Sequence, residues 1–266
     1  MQSGHKDVWA AGNLYELYVG RWSRLVAREF LTWLAAPLHS EWLDIGCGTG
    51  ALTEVILQQT QPRAVKGLDP SVGFIEHARA NSTDPRASFE VADAQALPVD
   101  SASFDVAVSG LVLNFVPEPA RAVAELVRAV RPGGTVAAYV WDYAGKMELM
   151  RYFWDAAVAL DPAASEVDEG RRFPMCQPAP LVELFVQAGL SEVDVRPIDV
   201  PTGFRDFDDY WTPFLSGQAP APGYAISLTE ERRAELRERI RASLPVETDG
   251  SIPLIARAWA VRSRKI

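Results

Sequence analysis

A chain of 266 residues is long enough for one large domain or for one domain with a cap, and 48% apolar residues is ordinary for a globular protein. The formal net charge of −9 argues against a nucleic-acid backbone as partner, because phosphate binding needs a basic face, and equally against docking on anionic lipid by charge alone. Cys47 and Cys176 imply no disulfide framework, residues 1–7 lack an apolar signal core and no run approaches a membrane span, so the expectation is a cytoplasmic protein.

Residues 8–36 carry helical patterning, with Leu14, Tyr15, Tyr18, Trp22, Leu25, Val26 and Phe30 at helical spacing and Pro37 as the stop. Strand and helix signals then alternate. A strand over 41–46 leads into a helix over 50–59, a strand over 63–69 into a helix over 72–80. A short strand over 87–92 is closed by Asp93, and a small, apolar strand spans 104–109. A helix over 118–130 ends at Pro132-Gly133-Gly134, and a fifth strand spans 135–141. Later come a helix over 180–188, a strand over 191–200 and a last strand over 254–262. Such alternation specifies an α/β fold with a doubly wound, mostly parallel sheet covered by helices on both faces.

Two stretches exceed what the sheet requires, 142–178 and 203–250, and both are aromatic-rich. Aromatics at helical spacing are more often core than ligand wall. Insertions after the carboxyl ends of strands, however, lie over the ligand crevice of a doubly wound sheet. The first stretch, with the N-terminal helix 8–36, therefore reads as a helical cap or lid, and the second as a neighbour on the substrate side.

The sharpest local signal is Trp42-Leu43-Asp44-Ile45-Gly46-Cys47-Gly48-Thr49-Gly50: a buried strand ends in an acid and enters a turn with glycines at alternate positions. Glycine takes positive φ freely and lets a ligand lie against the backbone, so a strand, such a turn and a helix make a nucleotide-binding corner. Asp44-Ile45-Gly46-Cys47-Gly48-Thr49-Gly50 resembles the first motif of class I S-adenosylmethionine-dependent methyltransferases. The later landmarks of that family follow in order: Gly67-Leu68-Asp69-Pro70-Ser71, Ala92-Asp93-Ala94-Gln95-Ala96-Leu97-Pro98, Phe104-Asp105-Val106-Ala107-Val108, and Arg131-Pro132-Gly133-Gly134. The likeness covers about residues 40–142 and is closest in kind to the small-molecule, type 11 branch that includes quinone-biosynthesis enzymes.

The resemblance implies a Rossmann-like methyltransferase fold over 1–266, with seven strands and the last antiparallel. It also implies S-adenosylmethionine as methyl donor and S-adenosylhomocysteine as product. The acceptor would be a small molecule attacking through oxygen, nitrogen or carbon, and the motifs leave it and the oligomeric state open. The loop of Gly46, Cys47, Gly48 and Gly50 would admit the methionine part, and Asp44 would accept from its ammonium, directly or through water. Asp69 can accept both ribose hydroxyls, with Pro70 beside it. In the family the acid at Asp93 receives the adenine amino group and the next N–H, here Ala94, reaches a ring nitrogen; Leu97 and a side chain near Pro70 or Val72 would hold the ring. Ser109, Gly110 and Leu111 would lie beneath the sulfonium. Tyr18 would close over the site, and Arg21 would pair with the donor carboxylate.

For the acceptor, Asn114 stands where many relatives carry histidine, and Asp142 and Tyr143 follow the fifth strand. His5, His39 and His77 are poorly placed as general bases, and no metal-ligand spacing appears. Two other readings remain. Gly46 to Ala51 also satisfies the relaxed dinucleotide fingerprint of an NAD(P)-dependent oxidoreductase, against which stand Asp44, Asp93 and Pro132-Gly133-Gly134. A non-catalytic protein of the same fold that only binds S-adenosylmethionine is the second.

Overall fold

The computed structural model describes residues 20–217 and 219–266, without the side chain of Arg21. It comprises two compact units. The sheet unit is Ser23–Trp141, Met175–Ile198 and Ala258–Ile266; the helical unit is Asp142–Pro174 and Asp199–Arg257, with residues 20–22. No helix among the described residues is long and apolar enough to cross a membrane.

The chain opens with α1 (Arg21–Leu34), β1 (Glu41–Ile45), α2 (Ala51–Gln59), β2 (Ala64–Asp69), α3 (Val72–Asn81), β3 (Ala87–Val91) and β4 (Phe104–Gly110). There follow α4 (Pro119–Ala129), β5 (Val130–Trp141), α5 (Glu148–Leu160), α6 (Glu169–Arg172), α7 (Pro178–Gln187) and β6 (Ser191–Phe204). The last elements are α8 (Phe207–Trp211), α9 (Pro220–Ser227), α10 (Glu230–Ser243) and β7 (Ile252–Arg264). The seven-stranded sheet has the order β3-β2-β1-β4-β5-β7-β6. β1 to β5 pair in parallel, and β7 runs antiparallel to β5. The order reverses between β1 and β4, where Asp44 lies opposite Val108. That is the switch point at which doubly wound sheets bind ligands, at the carboxyl ends of the strands.

Local chemistry explains the boundaries. Ser71 accepts from Phe74 N (3.3 Å) and starts α3, while Pro119 occupies the first turn of α4, where its missing N–H costs nothing. β4 is covered on both faces, so Val106, Ala107, Val108 and Ser109 are all buried and no polar alternation survives.

Three expected boundaries shift because partners across the sheet set them. β3 stops at Val91, which pairs with Asp69, the last residue of β2; Asp93 therefore sits two residues beyond the strand. β4 continues through Ser109 and Gly110, because β5 offers Ala138 and Tyr139 as partners, so these two residues end the strand rather than follow it. Pro132-Gly133-Gly134 interrupts β5 instead of preceding it. The ladder to β4 jumps from Val130 to Thr135, and the tail of β7 takes up the bulge through Gly133 N to Lys265 O (2.7 Å) and Lys265 N to Gly134 O (2.9 Å).

In the helical unit the aromatics form a core of their own. Phe153 stacks on Phe214 at 4.6 Å between centroids, and Tyr210 and Trp154 are fully buried. Beneath them Arg151 holds Asp168 through paired guanidinium bonds of 2.8 to 3.1 Å. Next to this pair the buried Glu169 accepts from Trp154 Nε1–H. Burial pushes the Glu169 carboxyl from 4.5 up to about 7, with Asp168 adding to the rise and Arg172 opposing it. Between those values the folded chain keeps a proton that the unfolded chain has lost, so stability falls as pH rises through that window. Glu169→Gln is expected to remove this component, on the order of 3 kcal/mol, and to flatten the unfolding temperature measured from pH 5 to 8. An unchanged slope would mean that Glu169 titrates normally.

Candidate active site

The glycine corner is built by backbone bonds onto β2. Leu68 O accepts from both Gly46 N (2.7 Å) and Cys47 N (3.0 Å), and Gly50 N returns to Cys47 O (2.8 Å). Gly46 and Gly48 have φ of 70° and 54°, in the left-handed region. Their surroundings differ. A Cβ on Gly46 would overlap the side chain of Val112, whereas one on Gly48 would meet nothing within 4 Å. Gly46 is thus required by protein packing, and Gly48 borders open space. Cys47 packs with Ile75, Ala78 and Phe89, and burial, reinforced by Asp44 and Asp69, pushes its thiol far up. A neutral, buried thiol is an anchor here and not a nucleophile. Gly67, whose Cβ would come within 2.9 Å of Cys47 Sγ, makes room for that anchor.

Asp44 is 1% exposed, and its Oδ2 accepts from Thr53 Oγ1 at 2.7 Å. Its Oδ1 is buried without a partner. Burial pushes this carboxyl up to about 7; Thr53 draws it down, and the nearby Asp69 adds to the rise. Asp69 is also buried, and each of its oxygens takes one backbone N–H: Gly48 at 3.0 Å and Ser71 at 2.8 Å. Its pKa is raised by burial against those two bonds. Each oxygen retains a lone pair for a further donor. Pro70 and Val72 present exposed apolar surface next to it, while Leu97 is buried.

Asp93 is exposed, and Gln95 closes on it: Gln95 N and Nε2 donate to Oδ1 at 2.9 and 3.1 Å, and Nε2 reaches Oδ2 at 3.2 Å. These bonds lower its pKa. Ala94 beside it is buried.

Beyond β4, Leu111 takes φ of 62°, a position unusual for a large side chain, and its N–H donates to Tyr139 O at 2.7 Å. Ser109 Oγ and both amide atoms of Asn114 are buried with no hydrogen-bond partner. Asp44 Oδ1, Ser109 Oγ and the Asn114 amide thus lie at or just past the carboxyl ends of β1 and β4, on the two sides of the switch point. Buried polar groups normally find partners, so these atoms, grouped at the end of the sheet where doubly wound folds bind ligands, are the candidates for ligand contact. Trp42 Nε1, Arg131 Nε, Thr202 Oγ1 and Ser216 Oγ are also buried without a partner among the described residues, and nothing in the structure explains them.

The other sequence candidates have the following surroundings. Asp142 and Tyr143 belong to the helical unit, whereas Asn114 belongs to the sheet unit. Asp142 organises a turn: its Oδ2 accepts from Lys146 N (3.0 Å), and its carbonyl from Gly145 N (3.1 Å) and Met147 N (3.0 Å). Tyr143 is buried, with its ring 5.4 Å from that of Phe173 and its carbonyl taking Arg151 (3.2 Å). His39 and His77 are exposed. Tyr15, Tyr18 and His5 lie outside the described residues, as does the side chain of Arg21. Reading the sequence missed Thr53 and Gln95, which hold Asp44 and Asp93, and the packing role of Gly67. Thr53 had one usable signal, a hydroxyl three residues past Gly50 in the first turn of a helix.

Comparison with known proteins gives the family. A family model described as a methyltransferase domain matches residues 43–138. Demethylmenaquinone methyltransferase of Roseiflexus castenholzii is 31% identical over 175 residues, covering 61% of this chain and 72% of that protein. Malonyl-[acyl-carrier protein] O-methyltransferase of Hahella chejuensis is 31% identical over 125 residues, 47% of this chain and 44% of the relative, so the chain spans less than half of that protein. Among solved structures, phosphoethanolamine N-methyltransferase 2 of Haemonchus contortus, with phosphomonomethylethanolamine and S-adenosylhomocysteine, shares the fold. Its TM-score is 0.60 at 15% identity, over 96% of this chain and 57% of that one. A methyltransferase family model over residues 43–138 and 31% identity across 72% of one methyltransferase lead to one conclusion: the chain belongs to the class I S-adenosylmethionine-dependent methyltransferases.

Proposed function

We propose that this protein transfers a methyl group from S-adenosylmethionine to an oxygen, nitrogen or carbon nucleophile of a small molecule. The observation that carries the reading is the set of buried, unpartnered polar atoms at the switch point, beside the open space over Gly48. The residues present fit the donor. Gly46, Cys47, Gly48 and Gly50 would admit its methionine part, and Asp44 Oδ1 would take its ammonium. The free lone pairs of Asp69 would take the ribose diol. Asp93 and the Ala94 N–H would take the adenine edge, with Pro70, Val72 and Leu97 around the ring. Ser109 and Leu111 would lie beneath the sulfonium, and Tyr18 and Arg21 are further candidates from the sequence.

The donor supplies an activated methyl group on a sulfonium, so the protein's task is alignment and exclusion of water, and alignment alone is worth many kcal/mol. Asn114 carries both donors and acceptors and is assigned to holding the acceptor in line. Asp142, whose Oδ2 accepts from Lys146 N, and Tyr143, whose ring lies beside Phe173, stay candidates for the acceptor side from the sequence. The stretch 142–178 follows directly on β5 in the chain, and insertions after the carboxyl ends of strands commonly serve the ligand crevice, which supports keeping this stretch as a candidate for acceptor selection. The acidic net charge and a cysteine count that implies no disulfide framework support a cytoplasmic enzyme acting on a free metabolite rather than on nucleic acid.

Calorimetry with S-adenosylhomocysteine, followed by transfer of labelled methyl from S-adenosylmethionine into a metabolite extract, tests the reading. Binding and a labelled product are expected. Binding without product would favour a protein that only holds the donor, and no binding of either compound at millimolar concentration would overturn the assignment.

A further inference from the structure

We propose that Thr53 is the positioning residue for the donor's amino-acid end: its hydroxyl occupies Asp44 Oδ2 and so reserves Oδ1 as the acceptor for the α-ammonium. The proposal rests on the donor assignment above and adds a residue that the motifs do not name.

Asp44 and Thr53 are each 1% exposed, so no bulk water competes for the 2.7 Å bond between them. A helical threonine ordinarily returns its hydroxyl to the carbonyl four residues back, and Thr32 and Thr60 do so here, to Arg28 O and Ile56 O at 2.9 Å. Thr53 instead crosses from the first turn of α2 to β1. Its position is set by the helix that starts at the glycine corner, so the carboxylate is oriented by the same element that shapes the loop. Once Oδ2 is engaged, Oδ1 is left buried and without a donor among the described residues.

The missing donor is a cation rather than a neutral group. Among the described residues, Asp69 is the charged group that acts on Asp44, and it is itself an acid, so the described part of the site holds two desolvated carboxyls. Burial holds Asp44 up near 7, a cost that a cation beside it would offset. Cys47 cannot serve, because its thiol stays neutral and its Sγ lies toward Gly48 O at 3.8 Å. An ammonium would supply both a proton donor for Oδ1 and a charge that offsets the pair of acids.

The test uses two probes that differ in one part of the donor. S-adenosylhomocysteine carries the α-ammonium; 5′-methylthioadenosine has the adenosine and the thioether but no amino-acid end. Affinities are measured by calorimetry for the full-length wild type, Thr53→Val and Thr53→Ser. Thr53→Val is expected to weaken S-adenosylhomocysteine by at least tenfold and to leave 5′-methylthioadenosine within twofold. Thr53→Ser, which keeps the hydroxyl, is expected to restore both affinities to within threefold of wild type. Unchanged S-adenosylhomocysteine affinity in Thr53→Val would overturn the proposal, and so would an equal loss for both probes, which would make Thr53 a support of the loop alone. A wild type that binds neither probe would instead refute the donor assignment.

Discussion

Gly48→Val is expected to weaken S-adenosylhomocysteine binding by at least a hundredfold while leaving a folded protein, and Gly46→Val to lose the fold around the corner. The contrast follows from what each missing side chain would meet. Both glycines have left-handed φ, which costs an L-residue about 1–2 kcal/mol. In a domain of this size that lowers the unfolding temperature by a few degrees (about 2–4 °C per kcal/mol). At Gly48 the strain is the whole cost among the described residues, because the added carbons would project into space that none of them beyond its own chain neighbours occupies within 4 Å. If the donor fills that space, a branched side chain excludes it. At Gly46 the added carbon overlaps Val112, so packing strain is added to the backbone strain. Binding and thermal unfolding, measured on both variants, check the pair. Retained affinity in Gly48→Val would place the donor elsewhere; a stable Gly46→Val would mean that Val112 yields more easily than the packing suggests.

Asp69→Ala is expected to weaken S-adenosylhomocysteine by at least tenfold. The carboxylate holds Gly48 N at 3.0 Å and Ser71 N at 2.8 Å, and so ties the glycine corner to the start of α3. Its remaining lone pairs are assigned to the ribose diol. Hydrogen bonds to a charged acceptor contribute roughly 1.5–3 kcal/mol each, so loss of even one exceeds the tenfold mark. The variant removes the loop's anchor and the ligand's acceptor together. Asp69→Asn separates them in part: it keeps one carbonyl oxygen but turns an NH₂ toward a backbone N–H, and is expected to bind at an intermediate level. Calorimetry on the two variants reads this order, and an unchanged affinity in Asp69→Ala would refute the ribose role.

The parts of the site that were legible in advance are those whose physical requirement is local. The glycine corner announces itself because left-handed φ favours glycine, and Gly46, Gly48 and Gly50 all have it. Asp69 closes β2, whose Val65 and Leu68 are buried in a short stretch that reads as a strand without knowledge of its neighbours. The strand before Asp93 is expected from the sequence to run up to it but ends at Val91, because β3 ends where its partner β2 ends, and that is a property of the register. The aromatics of 142–178 and 203–250 read more readily as core than as ligand wall, and Phe153, Phe214 and Tyr210 do pack on one another in a core.

What could be read from residue order was the alternation of strands and helices, the glycine corner between β1 and α2 and the acids near the strand ends. Periodicity and glycine's conformational range act over a few neighbouring residues. Which polar atoms remain free was settled by the folded chain. Asp44 meets Thr53 across a turn, Gln95 folds back on Asp93, Asp142 spends its carboxylate on Lys146 N, and Ser109 and Asn114 are left unpaired. A hydrogen bond depends on distance and direction in space, which the order of residues leaves open until the sheet brings β1 beside β4.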